Sequence, residues 1–124
     1  MISRAQALGL VNVGDIVFGH GAGGQDKLLL VYKTDIEGFS ARHVTTQIKY
    51  RFNRSGMTRI YADGGFVKIV STAQLPPDQL QIALELDRKM GSGVEYPDTK
   101  LSQAEIQFLL TYVAFFEAHR LPDT

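Results

Sequence analysis

Leu28-Leu29-Leu30-Val31-Tyr32 is apolar at every position. Successive side chains of a strand point to opposite faces, so a strand with no polar member needs cover on both. A barrel, or a bent sheet with helices lying on it, supplies that cover. Upstream, residues 13–18 (VGDIVF) read as the preceding strand and the glycine-rich run 19–24 (GHGAGG) as the turn between the two. Downstream, residues 33–38 (KTDIEG) read as the next turn.

Residues 39–52 contain no turn residue, yet their apolar positions change parity. Phe39 and Ala41 are odd, whereas Val44, Ile48, Tyr50 and Phe52 are even. A regular strand would turn half of them to water, so a β-bulge or sharp coil is expected near 43–46. Asn53-Arg54-Ser55-Gly56 reads as a hairpin turn, 57–61 as the return strand, Asp63-Gly64-Gly65 as another turn and 66–72 as the last strand. Leu75-Pro76-Pro77 stops the sheet. The spacing predicts one helix over 78–90, with Asp78 at its positive end and Arg88-Lys89 at its negative end. Ser102-x-x-Glu105 is a capping box opening a second helix that runs to about His119. On that helix Ile106, Leu109, Leu110, Val113 and Phe116 are expected on one buried face, and Phe108 and Phe115 in the core or at a dimer contact. The expected core also takes in Ile16, Phe18, Leu28, Leu30, Ile48, Tyr50, Ile60, Val67, Ile69, Leu80 and Leu84.

The chain has 124 residues, enough for a single domain over 1–124: a β part over 13–72 and a helical extension over 76–120 packed on it. With 44% hydrophobic and 21% charged residues, it has the composition of a folded globular protein. No run approaches a membrane span, and the first twelve residues do not form a signal peptide. The absence of cysteine removes disulfides, thiolate metal sites and a Cys nucleophile, and suits a reducing cytoplasm. Thirteen basic and thirteen acidic residues cancel, but unevenly. Residues 1–72 carry a net charge of about +4 and residues 73–124 about −4, counting Lys, Arg, Asp and Glu. Either the acidic helices pack beside the basic sheet, or a basic surface is left open for a polyanion.

Gly19, Gly21 and Gly24 satisfy G-x-G-x-x-G directly after a strand. A dinucleotide site needs a helix next, and only Gln25 to Lys27 separate the glycines from the next strand. The run is therefore a loop, and Gly21, Gly23 and Gly24 are candidates for meeting a partner. From Phe39 to Ile60 there are five Lys or Arg residues, Arg42, Lys49, Arg51, Arg54 and Arg59, with His43 and no acid, and with Tyr50, Phe52 and Tyr61 interleaved or adjacent. Cations with aromatics compose a single-strand-binding surface, so Lys49, Arg51, Arg54 and Arg59 are candidate binding residues. Plain alternation in a half-exposed strand explains the same pattern. His20, His43 and His119 form no close metal-ligand pair, so no metal or other cofactor is expected. His20, Arg42, His43 and Asp63 supply a base, an acid and a cation, the chemical types of a metal-independent ribonuclease. Taken alone, each is equally an ordinary structural residue.

The strand 13–18, the glycine-containing loop and the apolar strand 28–32 resemble the opening of the PemK/MazF-type toxins, small SH3-like barrels that cut RNA without metal. That family has an Arg-Pro pair entering the second strand, where this chain has Gln25-Asp26-Lys27. The resemblance implies an SH3-like barrel, and with the residue pattern it gives the expected α+β fold: an SH3-like or otherwise strongly bent small β-barrel of five to six strands followed by two C-terminal helices, an extension longer than the resemblance needs. The expected function is a non-catalytic cytoplasmic module that engages a protein or RNA partner, not a membrane, through the glycine loop and the basic strand. A toxin-type ribonuclease is the alternative, and a homodimer is one of the oligomeric states open to the chain.

Overall fold

The computed structural model describes residues 2–58, 65–92 and 100–124. The elements run α1 (Arg4–Leu8), β1 (Ile16–Gly21), β2 (Asp26–Asp35), β3 (Gly38–His43), β4 (Lys49–Asn53), β5 (Val67–Ser71), α2 (Pro77–Met90) and α3 (Gln103–Glu117). The strands form one antiparallel sheet in the order β4-β3-β2-β1-β5, bent into a half-barrel. Its edge strands are linked through Met57 and Thr58. Thr58 bridges to Phe52 of β4 and donates its N–H to Val67 O, while Met57 bridges to Lys68 of β5. The fold is therefore α+β, a five-stranded half-barrel with two C-terminal helices. Among the described residues, no helix is long and apolar enough to cross a membrane.

The all-apolar strand is covered on both faces, as its composition requires. Leu28 and Leu30 join Ile16, Phe18, Val44 and Val70 beneath α2 and α3, against Ala83, Leu86, Phe108, Tyr112 and Phe116. Leu29 and Val31 join Val17, Phe39, Ala41, Phe52, Val67 and Ile69 on the inner face. Leu8 and Val11 pack into this inner cluster as well. Leu8 is on α1, a five-residue helix that the sequence reading missed. The helix is opened by its own capping box, with Gln6 N–H donating to the Ser3 hydroxyl and Ser3 N–H to the Gln6 side chain.

Several boundaries differ from expectation. The first strand starts at Ile16 and continues through Gly19-His20-Gly21, so the glycine run is half strand and half turn. Glycines are tolerated there because the chain is packed closely, a Cβ on Gly19 falling 2.9 Å from Lys68 O. β2 reaches Asp35, which shortens the following turn to Ile36-Glu37. The expected bend at 43–46 is a complete reversal. β3 and β4 pair antiparallel with Phe39 opposite Phe52 and Ala41 opposite Tyr50. In that register odd positions face even ones, which is the source of the parity change. Gln47, at φ 63°, makes the turn, and its side chain donates to Val44 O and Asp87.

Three expected core residues lie outside the core. Ile48 sits in the β3–β4 reversal and is 53% exposed. Ile106 and Leu110 are 42% and 74% exposed, because α3 is turned to bury Glu105, Phe108, Tyr112 and Phe116 instead. Both faces of this helix are apolar, so periodicity alone could not choose between them. Phe108 is core, Phe115 is half-buried, and Ile60 lies outside the described residues.

Candidate functional site

Strand alternation and register decide which candidates can meet. His20 is on the outer face of β1, opposite Asp26 of β2. Its Nε2 lies 3.4 Å from Asp26 Oδ1 and 3.1 Å from Glu117 Oε1 of α3, and its ring packs edge-on against Phe18. Arg42 is also on the outer face, but across the sheet. It donates from Nε and Nη2 to the two oxygens of Asp87 on α2, at 2.9 and 2.7 Å. The hydrogen bond to Asp87 raises the Arg42 guanidinium above its ordinary value. Burial pushes the Asp87 carboxyl up, but the hydrogen bonds from Arg42 and Gln47 outweigh burial and hold it below its ordinary value.

His43 pairs with Leu29 and shares the inner face. It is 7% exposed, and its two ring nitrogens each lie 3.2 Å from a hydroxyl, Thr45 at Nε2 and Thr46 at Nδ1. Burial, with the nearby Lys27 charge, pushes its pKa down to about 4, so the ring is neutral near neutral pH. The sheet thus separates His43 from His20 and Arg42, which lie on the other face on different strands with different acidic partners, and Asp63 lies outside the described residues. No acid–base pair is assembled among the three described residues.

The binding candidates divide between β4 and the hairpins. Lys49 and Arg51 lie on the outer face of β4, in register with Arg42 and Ser40. Arg51 donates to Asp35 at 2.6 Å, a contact that raises Arg51 and lowers Asp35. Lys49 has no carboxylate partner among the described residues and lies 5.7 Å from the Tyr32 ring centroid. Arg54 donates to Ile36 O at 2.6 Å, and Arg59 lies outside the described residues. Gly21, Gly23 and Gly24 shape the β1–β2 hairpin, closed by Gly21 N–H to Gln25 O and Gly24 N–H to Gly21 O, each 2.9 Å.

Register also brings in a residue that sequence reasoning passed over. Lys27, across from Gly19, projects on the inner face with its Nζ 6.0 Å from the Tyr50 ring centroid. Lys27 and Tyr50 line a cleft of about 250 Å³ with Gly21, Gly23, Gln25 and Phe66. The inner-face parity of Leu29 and Val31 extends back to Lys27 and was the available signal. β4 and β2 therefore share a Lys–Tyr couple on each face of the sheet: Lys27 of β2 with Tyr50 of β4 inside, and Lys49 of β4 with Tyr32 of β2 outside. A larger groove of about 700 Å³ runs between α1 and the β2–β3 tip. Its charged lining groups are already engaged, Asp35 by Arg51 and Arg54 by Ile36 O. Among the described residues there is no group of three or more His, Cys, Asp or Glu that could hold a metal ion.

Comparison with known proteins gives no match: no family model, no curated protein and no solved structure.

Proposed function

We propose that this protein is a non-catalytic binding module and that its partner is single-stranded RNA, held along the β4 edge beside the glycine hairpin. The observation that carries this reading is the pair of Lys–Tyr couples, one on each face of the sheet, each joining a residue of edge strand β4 to one of β2. Arg42, Arg51, Arg88, Lys89 and Arg120 all have carboxylate partners, whereas Lys27 and Lys49 have none among the described residues. An ammonium without a carboxylate attracts phosphate, and a tyrosine ring stacks on any base. Each couple offers both halves of a nucleotide contact. The protein's zero net charge means that binding depends on these few cations, not on a general field.

The test is fluorescence anisotropy of a labelled oligouridine over a salt series. Two phosphate contacts on a single strand predict a log–log salt slope of about −1.4. Lys27→Glu and Lys49→Glu should each weaken binding, and the double variant should abolish it. Salt-independent binding, or a double variant that binds like wild type, refutes the reading. Absence of RNA binding leaves the protein-partner branch of the sequence analysis. The ribonuclease alternative gains no support from the geometry: Arg42 is held by Asp87, and His43 is enclosed and neutral.

A further inference from the structure

A second cleft, of about 280 Å³, opens on the opposite side of the glycine hairpin. Gly21 and Ala22 line both clefts, so the hairpin is the wall between them. Four basic side chains line the second one: Arg4, His20, Lys68 and Arg120. They come from α1, β1, β5 and the tail after α3, segments that only the folded chain brings together.

We infer that this cleft is a binding site for a phosphate group, either a phosphate monoester at the end of a nucleic-acid strand or free phosphate. The strongest observation is Arg4, which is 5% exposed. A buried charge is ordinarily paired with an opposite one. Arg4 makes no ion pair among the described residues. It donates from Nε to Ser55 O at 2.7 Å and from Nη2 to Ile69 O at 2.6 Å. A guanidinium has five N–H donors, so these two bonds leave donors over, on a side chain that lines the cleft.

The rest of the lining has the same sign. Lys68 stands opposite His20 in the β1–β5 register and has no carboxylate partner among the described residues. Arg120 reaches Glu117 at 3.3 Å in an exposed pair, 56% exposed on the Arg120 side, which a phosphate can compete for. Asp123 also lines the cleft, and its charge acts on Arg4 without a direct ion pair. Glu117 and Asp26 lie nearby, both on His20. The lining itself holds three permanent cations against the Asp123 carboxylate, with Glu117 paired to Arg120 beside it, and the positive excess suits an anion. The volume is small for a whole ligand but adequate for a headgroup. Gly24, with open space where a Cβ would stand, keeps the hairpin side of the cleft unobstructed.

Where the phosphate belongs to a strand end, the inference rests on the RNA reading; where it is free, the site stands without it. The experiment has two arms, each with wild type and Lys68→Ala/Arg120→Ala. Arg120 is exposed and Lys68 is half-buried, and truncation of either to Ala leaves the backbone pairing of β5 in place. In the first arm, inorganic phosphate is titrated into labelled protein and followed by NMR against chloride at equal ionic strength. Saturable shifts at Gly21, Gly24 and Lys68 are expected, weakened about tenfold or more in the double variant. In the second arm, oligouridine with and without a 5′-phosphate is compared by anisotropy. A gain of about tenfold from the 5′-phosphate, lost in the double variant, assigns the site to a strand end. A response to inorganic phosphate alone assigns it to free phosphate. If phosphate acts no differently from chloride and the 5′-phosphate changes nothing, or if the double variant behaves as wild type, the inference is overturned. Binding of the 5′-hydroxyl strand, and its loss in Lys27→Glu, reports separately on the RNA reading.

Discussion

Acidification should weaken this fold through a single histidine. In the unfolded chain His43 takes up a proton near its ordinary value of 6.5, whereas in the folded protein it resists protonation down to about pH 4. Below pH 6.5 the unfolded state therefore binds the proton and the folded state does not, so stability falls as pH falls. The loss begins near 6.5 and is complete below about 4, the window between the two values. A gap of roughly two and a half pH units, at about 1.4 kcal/mol each, amounts to ~3 kcal/mol in full and about 2 to 3 kcal/mol at pH 4.5. The cause is burial. The ring is 7% exposed on the inner face, and Lys27 adds like-charge repulsion once the ring is protonated. The assay is urea denaturation at about pH 7.5 and pH 4.5 for wild type and for His43→Gln, which keeps a polar group beside Thr45 and Thr46. Carboxylate contributions are common to both proteins and cancel in the difference. His43→Gln should lose about 2 to 3 kcal/mol less than wild type across that interval. An equal loss in the two proteins, or an NMR titration of His43 near its ordinary value, refutes the reasoning.

Three further outcomes follow from the packing. Gly38→Ala should cost ~3 kcal/mol or more by thermal or urea unfolding, because φ is +150° and the new Cβ would fall 1.9 Å from Phe52 O, backbone that cannot move without breaking the β3–β4 ladder. Asp87→Ala should cost about 2 kcal/mol by leaving Arg42 and Gln47 without their acceptor, and adding Arg42→Leu should recover part of that loss. Because the Asp87 carboxyl is held below its ordinary value, this contribution is present above that value and disappears as pH falls through the lower, folded-state value. On α3, Phe108→Ala should cost about 3 to 5 kcal/mol whereas Leu110→Lys should change stability by less than about 0.5 kcal/mol, and equal costs would mean that the buried face is misassigned.

Much of the fold was legible in local chemistry. Five apolar residues in a row required two covered faces, Pro76-Pro77 marked the end of the sheet, and Ser102-x-x-Glu105 marked a helix start. Each signal is local: alternation, a missing N–H donor, a hydroxyl three residues before a carboxylate. The parity change over 39–52 was visible, but whether a bulge or a full reversal caused it depended on which strand lay opposite. α1 is five residues long and owes its place to Leu8 in the inner core and to Arg4 on distant carbonyls, which no short window contains. α3 is apolar on both faces, so only the sheet beneath it decides that Phe108 is buried and Leu110 is not.

The candidate site divides along the same line. From sequence alone come the residue types: a glycine turn, a run of cations with interleaved tyrosines, and no cysteine or paired histidine. Tertiary structure decides which of those charges are already engaged. Asp87 lies 45 residues from Arg42 and takes up its guanidinium, while Lys27 of β2 and Lys49 of β4, on opposite faces of the sheet, have tyrosine rings for neighbours and no carboxylate partner among the described residues. Spacing along the chain limits what a residue can do with its near neighbours. Strand register and helix docking determine which distant group it meets, and in a low-dielectric interior that meeting determines whether a charge or a proton is free to act.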